Sequence, residues 1–212
     1  MKILSVKTLP LTEIKVVRFS RFCDQRGYFT ETYRKSDFVS HPEMGFMRGV
    51  KFVQSNESFS QKGTVRGLHF QWNPHMGKMV RTLYGRMVDL VLDIRKGSPS
   101  FGKIIAYEMP GRASADCDEW IWVPPGFAHG NLFPEDTQIE YFCSGEYSLG
   151  CEAGISPLAA DIDWSLVEPE LKRLFDSIAP VTELITLKDK NAFSLAAWVK
   201  DERSENFVYG KL

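Results

Sequence analysis

The stretch Thr64-Val65-Arg66-Gly67-Leu68-His69-Phe70-Gln71 alternates along its second half, with Leu68 and Phe70 on one side of the chain and His69 and Gln71 on the other. Successive side chains of a β-strand point to opposite faces, so His69 and Gln71 share a face. A barrel interior lined by polar residues is a binding cavity rather than a dry core. Arg66 and His69 have opposite parity on a regular strand. If both line the cavity, Gly67 must mark a bulge or twist.

Outward from this stretch, similar runs recur between Gly, Pro and Asp punctuation: GYFTETY (27–33), VKFVQSN (50–56), KMVRTLY (78–84), RMVDLVLDI (86–94), GKIIAYEM (102–109), EWIWVP (119–124) and TQIEYF (137–142). Short strands rich in Val, Ile, Phe, Tyr and Thr signal an antiparallel sandwich or barrel. Gly85 supplies a tight turn between two runs, and RKGSPSFG (95–102) a longer connection, which predicts a meander of paired strands. After Trp164 the pattern changes to helical, with one helix expected over 164–178 and another over 191–200. The sequence therefore predicts an all-β, cupin-like jelly-roll barrel over about residues 14–164. A C-terminal helical appendage over about 165–212 completes a single domain of 212 residues.

The chain carries 26 Lys plus Arg against 27 Asp plus Glu, a formal net charge of -1. No general field would recruit nucleic acid or an anionic membrane, so an anionic ligand must be held by local basic residues. Lys7 comes too early for the apolar core of a secretion signal, and no stretch is long enough to span a bilayer. Cys23, Cys117, Cys143 and Cys151 are scattered without a CxxC pair. They read as reduced and the protein as cytoplasmic.

Many cupin-like barrels hold a metal with an HxH pair, a following Glu and a second His after a PxGxxH turn. Here PPGFAHG (124–130) supplies the turn and His129, but Gln71 stands where the second His of the pair would be, and Lys78 follows instead of Glu. A cation beside the site opposes metal binding, and the ligand set is short of imidazole and carboxylate. No metal is expected. What remains is a set rich in acid–base and anion-binding groups: Arg26, Glu31, Gln54, Asn56, Arg66, His69, Lys78, His129 and Tyr141. Each alone has a structural explanation, such as a hydrogen-bonded core histidine or a solvated ion pair. Together they suit proton abstraction beside a carbonyl, with His69 as base, Tyr141 as acid, and Arg66 and Lys78 against the developing oxyanion. Such a reaction needs no cofactor. Consistently, the chain contains no dinucleotide-binding GxGxxG, no phosphate-cradling GxxxxGK[ST] and no GxSxG.

Five segments in order, DQRGYFTETY, FVQSNESFSQKGTVRGLHFQ, GKMVRTLYGRMVDLVLDIRKGSPSFGK, WIWVPPGFAHG and IEYFCSGEYS, resemble the dTDP-4-dehydrorhamnose 3,5-epimerases. The resemblance covers about residues 24–164, with an echo to Asp189. It implies a cofactor-free isomerase, usually a homodimer, acting on a dTDP-linked 4-keto-6-deoxy sugar. By the resemblance His69 removes protons at carbons 3 and 5, Tyr141 reprotonates, Asp189 orients His69, and Lys78 flanks the sugar with Arg66 and His129. Arg26, Glu31, Gln54, Asn56, Glu152 and Lys188 would hold the nucleotide, and Tyr147 would stack on its base. Asn131 departs from the aromatic residue usual after PPGFAHG, and inversion of one carbon only, or binding without catalysis, remain alternatives to the double epimerisation.

Overall fold

The structure is a computed structural model and describes residues 1–111 and 116–212. Its strands are β1 (Ile3–Thr8), β2 (Lys15–Ser20), β3 (Phe22–Asp24), β4 (Gly27–Phe29), β5 (Gln54–Ser60), β6 (Val65–Gln71), β7 (Lys78–Tyr84), β8 (Arg86–Asp93), β9 (Ile104–Pro110), β10 (Cys117–Val123), β11 (Phe127–Leu132), β12 (Thr137–Cys143) and β13 (Glu152–Gly154). One sheet runs β1-β2-β10-β7-β12-β5 and a second β13-β6-β11-β8-β9, both antiparallel. This is a cupin-like jelly roll. The short pair β3-β4 forms a separate ribbon.

Period-two alternation places each strand's side chains in two layers. Along β8, Met87 and Val91 join the core between the sheets, while Val88, Leu90 and Leu92 pack outward against Phe175, Trp198 and Phe207 of the C-terminal part. On the other sheet, Val17, Phe19, Trp120 and Trp122 face outward and are covered by Phe38, Met44 and Met47. Those three lie on α1 (Lys35–Ser40) and the 3-10 turn Pro42–Met47. Both sheets are thus apolar on both faces. Trp120 and Trp198 are fully buried. An aromatic burying about 200 Å² contributes about 5 kcal/mol before ordering entropy is subtracted.

Several expectations differ from the structure. The meander fails at Gly85: β7 and β8 lie in different sheets. One residue between strands is too short for a two-residue hairpin loop, so the chain turns a corner there, at a glycine with φ of 79°. The run 27–33 is a strand only over Gly27–Phe29, and 50–56 only from Gln54 onward, because β5 is a polar edge strand whose alternation the apolar count understates. β1 also precedes the expected start at residue 14. The first C-terminal helix, α2, spans Pro169–Ile178 rather than beginning at Trp164. The residue before a proline disfavours helical backbone, and Pro169 itself fits the first helical position. Two short helices follow, α3 (Leu187–Lys190) and α4 (Leu195–Lys200). α4 begins late because the Ser194 side chain caps it, accepting from the Ala197 amide.

The expected irregularity at Gly67 is present. His69 pairs with His129 and Arg66 with Asn131, so three steps on β6 match two on β11. The extra residue brings Arg66 and His69 to one cavity. Gly67 has φ of 100°, and a Cβ there would lie 2.7 Å from the Gly130 Cα and the His129 carbonyl oxygen. Gly49 has a similar φ of 83° with nothing within 4 Å. Gly67→Ala should therefore cost about 1–3 kcal/mol more than Gly49→Ala in denaturant unfolding; equal costs would show that the close approach to β11 is unimportant.

Candidate active site

The barrel encloses a cavity of two lobes, about 380 and 290 Å³, which share His69, Lys78, His129 and Tyr141 as lining. The sheets contribute opposing groups. His69, His129 and Asn131 come from the five-stranded sheet; Lys78, Tyr141, Gln54 and Asn56 come from the six-stranded one. An imidazole and a phenol thus face one cavity from opposite walls.

His69 Nε2 lies 2.7 Å from Asp189 Oδ1, and Asp189 Oδ2 accepts the Gly67 amide at 3.2 Å. Asp189 is itself positioned by α3, whose capping Thr186 hydroxyl accepts the Asp189 amide at 3.2 Å. Burial would raise the Asp189 carboxyl, but the His69 hydrogen bond, its charge and the Gly67 amide outweigh it and hold the group below the usual carboxyl range. An ionised Asp189 accepts only, so in the neutral imidazole Nε2 carries the proton and Nδ1 keeps its lone pair.

Across the cavity, burial pushes the Tyr141 phenol up, with Cys143 adding and Arg66 and Asn56 opposing in part, so it remains a protonated donor. The Lys78 ammonium has no protein partner among the described residues. Burial lowers its pKa, opposed by Cys143, Asp89 and Glu152. A desolvated, unpaired cation at the meeting of the lobes is poised to receive negative charge from a ligand. His129 Nε2 pairs at 2.8 Å with Asp89 Oδ2, a fully buried carboxylate.

At the mouth, Lys188 donates to Glu152 Oε1 at 2.7 Å, and Tyr147 donates its hydroxyl to the same oxygen at 3.2 Å. Burial would raise Glu152, but Lys188 and Tyr147 hold it down. The Tyr147 amide donates to Gln54 Oε1 at 2.8 Å, and Gln54 donates to Asn56 Oδ1 at 3.0 Å. Arg66 is anchored on Ser60 Oγ at 2.9 Å. Two expected binding residues lie elsewhere. Arg26, on the β3–β4 ribbon, is 85% exposed and paired with Asp24, and Glu31 binds the Met1 ammonium and Arg34. Neither lines this cavity.

The sequence reading missed Asp89, hidden within the apolar run of β8; its only signal is one acid among inward-facing Met87 and Val91. It also missed what Gln71 does. The Gln71 side chain donates to the carbonyls of Pro74 and Glu146 and accepts the Ser148 amide, each at 2.9 Å. It tethers the loop that carries Tyr147. Among the described residues no group of three His, Cys, Asp or Glu is placed to hold a metal ion.

A carboxylate-oriented imidazole opposed to a phenol, with an unpaired ammonium between the walls of a β cavity, defines a proton-transferring isomerase of the cupin-like class. The family model described as dTDP-4-dehydrorhamnose 3,5-epimerase matches residues 8–197. A dTDP-4-dehydrorhamnose 3,5-epimerase of Sinorhizobium fredii is 39% identical over 163 residues, covering 74% of this chain and 79% of the relative. The Salmonella typhimurium enzyme of the same name is 34% identical over 184 residues, covering 84% and 96%. The crystal structure of a Legionella pneumophila dTDP-6-deoxy-D-glucose-3,5-epimerase in complex with dTDP-4-keto-L-rhamnose superposes with a TM-score of 0.77 at 29% identity, covering 96% of this chain and 97% of that one. The chain belongs to the dTDP-4-dehydrorhamnose 3,5-epimerase family.

Gln71→Leu should destabilise the fold by about 1–3 kcal/mol in denaturant unfolding, because three backbone groups lose a buried partner, and should raise KM more than it lowers kcat. An unchanged KM would show that the Tyr147 loop is held by other contacts.

Proposed function

We propose that the protein inverts carbons 3 and 5 of a dTDP-linked 4-keto-6-deoxyhexose, without a cofactor, through enolate intermediates. The observation that carries this is the His69–Asp189 hydrogen bond facing Tyr141 across the cavity. His69 Nδ1 takes the proton from carbon 3 or 5. The C–H electron pair forms a carbon–carbon double bond to carbon 4, and the carbonyl oxygen becomes an enolate beside the Lys78 ammonium. When the enolate reverts to the ketone, Tyr141 delivers its hydroxyl proton to the opposite face. The imidazolium then loses its proton and the phenolate regains one through solvent, which closes the cycle.

In this reading Asp189 orients the base and stabilises its imidazolium, and His129 with Arg66 flanks the keto sugar. Gln54, Asn56, Tyr147, Glu152 and Lys188 hold the nucleotide. The ligand in the Legionella structure supports a dTDP sugar as substrate. The whole chain works as one domain, since the appendage supplies Asp189. We assign it to the cytoplasm, where nucleotide-linked substrates are made and used; no helix among the described residues is long and apolar enough to cross a membrane. A homodimer fits the exposed Phe22, Tyr28 and Phe29 of the β3–β4 ribbon, which a partner would cover. Arg26 and Glu31 touch substrate only across such a dimer.

Incubation with dTDP-4-keto-6-deoxyglucose in heavy water should place deuterium at carbons 3 and 5. Exchange at carbon 3 alone would make the protein a mono-epimerase, and none would remove this substrate. His69→Ala should abolish exchange at both carbons, while Tyr141→Phe should retain exchange and lose inversion. Asp189→Asn, which keeps the shape and removes the charge, should lower kcat by about 100- to 10,000-fold.

A further inference from the structure

Asn131 is a cavity side chain to which the mechanism gives no role. It follows His129 by two on β11, is 6% exposed, and lines the second lobe with Ser58, Arg66 and Ile139. Its neighbour across the ladder is β8, where Asp89 is its register partner. Asn131 Nδ2 lies 3.2 Å from Asp89 Oδ2 and 3.1 Å from Met87 Sδ. A carboxylate and a thioether present acceptors only. The amide can therefore face β8 in one orientation, with its NH₂ group toward the strand and both N–H donors used there.

That orientation leaves Oδ1 on the other side of the amide. It has no protein partner among the described residues, and it is not sealed from the cavity as the unpaired Asp89 Oδ1 is. Asn131 thus offers the second lobe one function, a hydrogen-bond acceptor of fixed direction. An acceptor that loses water without gaining a donor is penalised, so a ligand group docked against it is favoured when it carries an O–H and disfavoured when it is CH₂ or CH₃.

We infer that Asn131 determines specificity: its Oδ1 accepts a hydrogen bond from a ring hydroxyl of the sugar, so the cavity selects the hydroxylated sugar over a deoxy counterpart. The inference rests on the epimerase reading and refines the substrate class within it. The same hydrogen bond holds the sugar against the wall that carries His129, while the 6-methyl group is left to another part of the cavity.

The test compares kcat/KM for deuterium uptake at carbon 5 with dTDP-4-keto-6-deoxyglucose and with its 2-deoxy and 3-deoxy analogues, in the wild-type protein and in Asn131→Leu. Carbon 5 carries a hydrogen in all three sugars. Uptake from the parent sugar by the wild type shows the proton abstraction at carbon 5 that the double-epimerase reading requires; its absence overturns inversion at carbon 5 and this inference with it. With uptake present, the variant decides the inference alone. The wild type should prefer the parent over one deoxy analogue by about 3- to 10-fold, and Asn131→Leu should lose that factor on the parent while leaving the same analogue within about twofold. An equal loss on all three sugars, or no loss on any, overturns the assignment. Should Asn131→Leu not fold, Asn131→Ala, which only removes atoms, carries the same comparison.

Discussion

The hydrogen bond between His69 Nε2 and Asp189 Oδ1 joins residues 120 positions apart, and the organisation of the site depends on it. One carboxylate holds three things in register. It orients the imidazole, accepts the Gly67 amide at the bulge that brings Arg66 and His69 to one cavity, and fixes α3 against β6. The C-terminal appendage therefore contributes part of the cavity wall, through Thr186, Lys188 and Asp189. Its remaining mass, through Phe175, Trp198 and Phe207, supplies the apolar packing against the outer face of the five-stranded sheet that keeps Asp189 at this distance.

A cavity lined by His69, Lys78, His129 and Tyr141 between two sheets removes polar groups from water and places them where a dry core would otherwise contribute stability. The chain offsets this by covering both sheets on their outer faces. The polar groups are also satisfied in pairs: His69 with Asp189, His129 with Asp89, and Glu152 with Lys188 and Tyr147. Among the described residues Lys78 has no such partner, and burial lowers its pKa. Among these charged groups Lys78 alone is left without a counter-ion among the described residues, which suits it to an anionic ligand atom.

Alternation made β6, β7, β8 and β12 legible in the sequence to within about two residues, because each has an apolar face whose period survives the polar positions. β5 begins only at Gln54, beyond the apolar part of the run 50–56, because its inward residues, Gln54, Asn56 and Ser58, serve the cavity and its outward ones meet solvent. The break at Gly85 between sheets was unreadable, since a strand alternates alike whether it pairs with its neighbour or crosses to the other sheet. For the site, the polar parity of His69 was visible, and the need for a bulge at Gly67 followed from it. The pairing of Asp189 with His69 came from family resemblance, as spacing cannot bring together residues so distant. Asp89 stayed hidden because a lone acid in an apolar strand reads as an interruption. Arg26 and Glu31 looked like site residues by type, yet each is occupied outside the cavity of its own chain.

In the proposed mechanism Asp189 fixes His69 in the tautomer that presents a bare Nδ1 to the sugar. The most direct measurement is the nitrogen chemical shift pattern of ¹⁵N-histidine-labelled protein with its imidazoles neutral, His69 being assigned by comparison with His69→Ala. A protonated, hydrogen-bonded Nε2 and an unprotonated Nδ1 are expected. A neutral ring protonated at Nδ1 would contradict the mechanism, because the nitrogen assigned to take the proton from the sugar would already hold one.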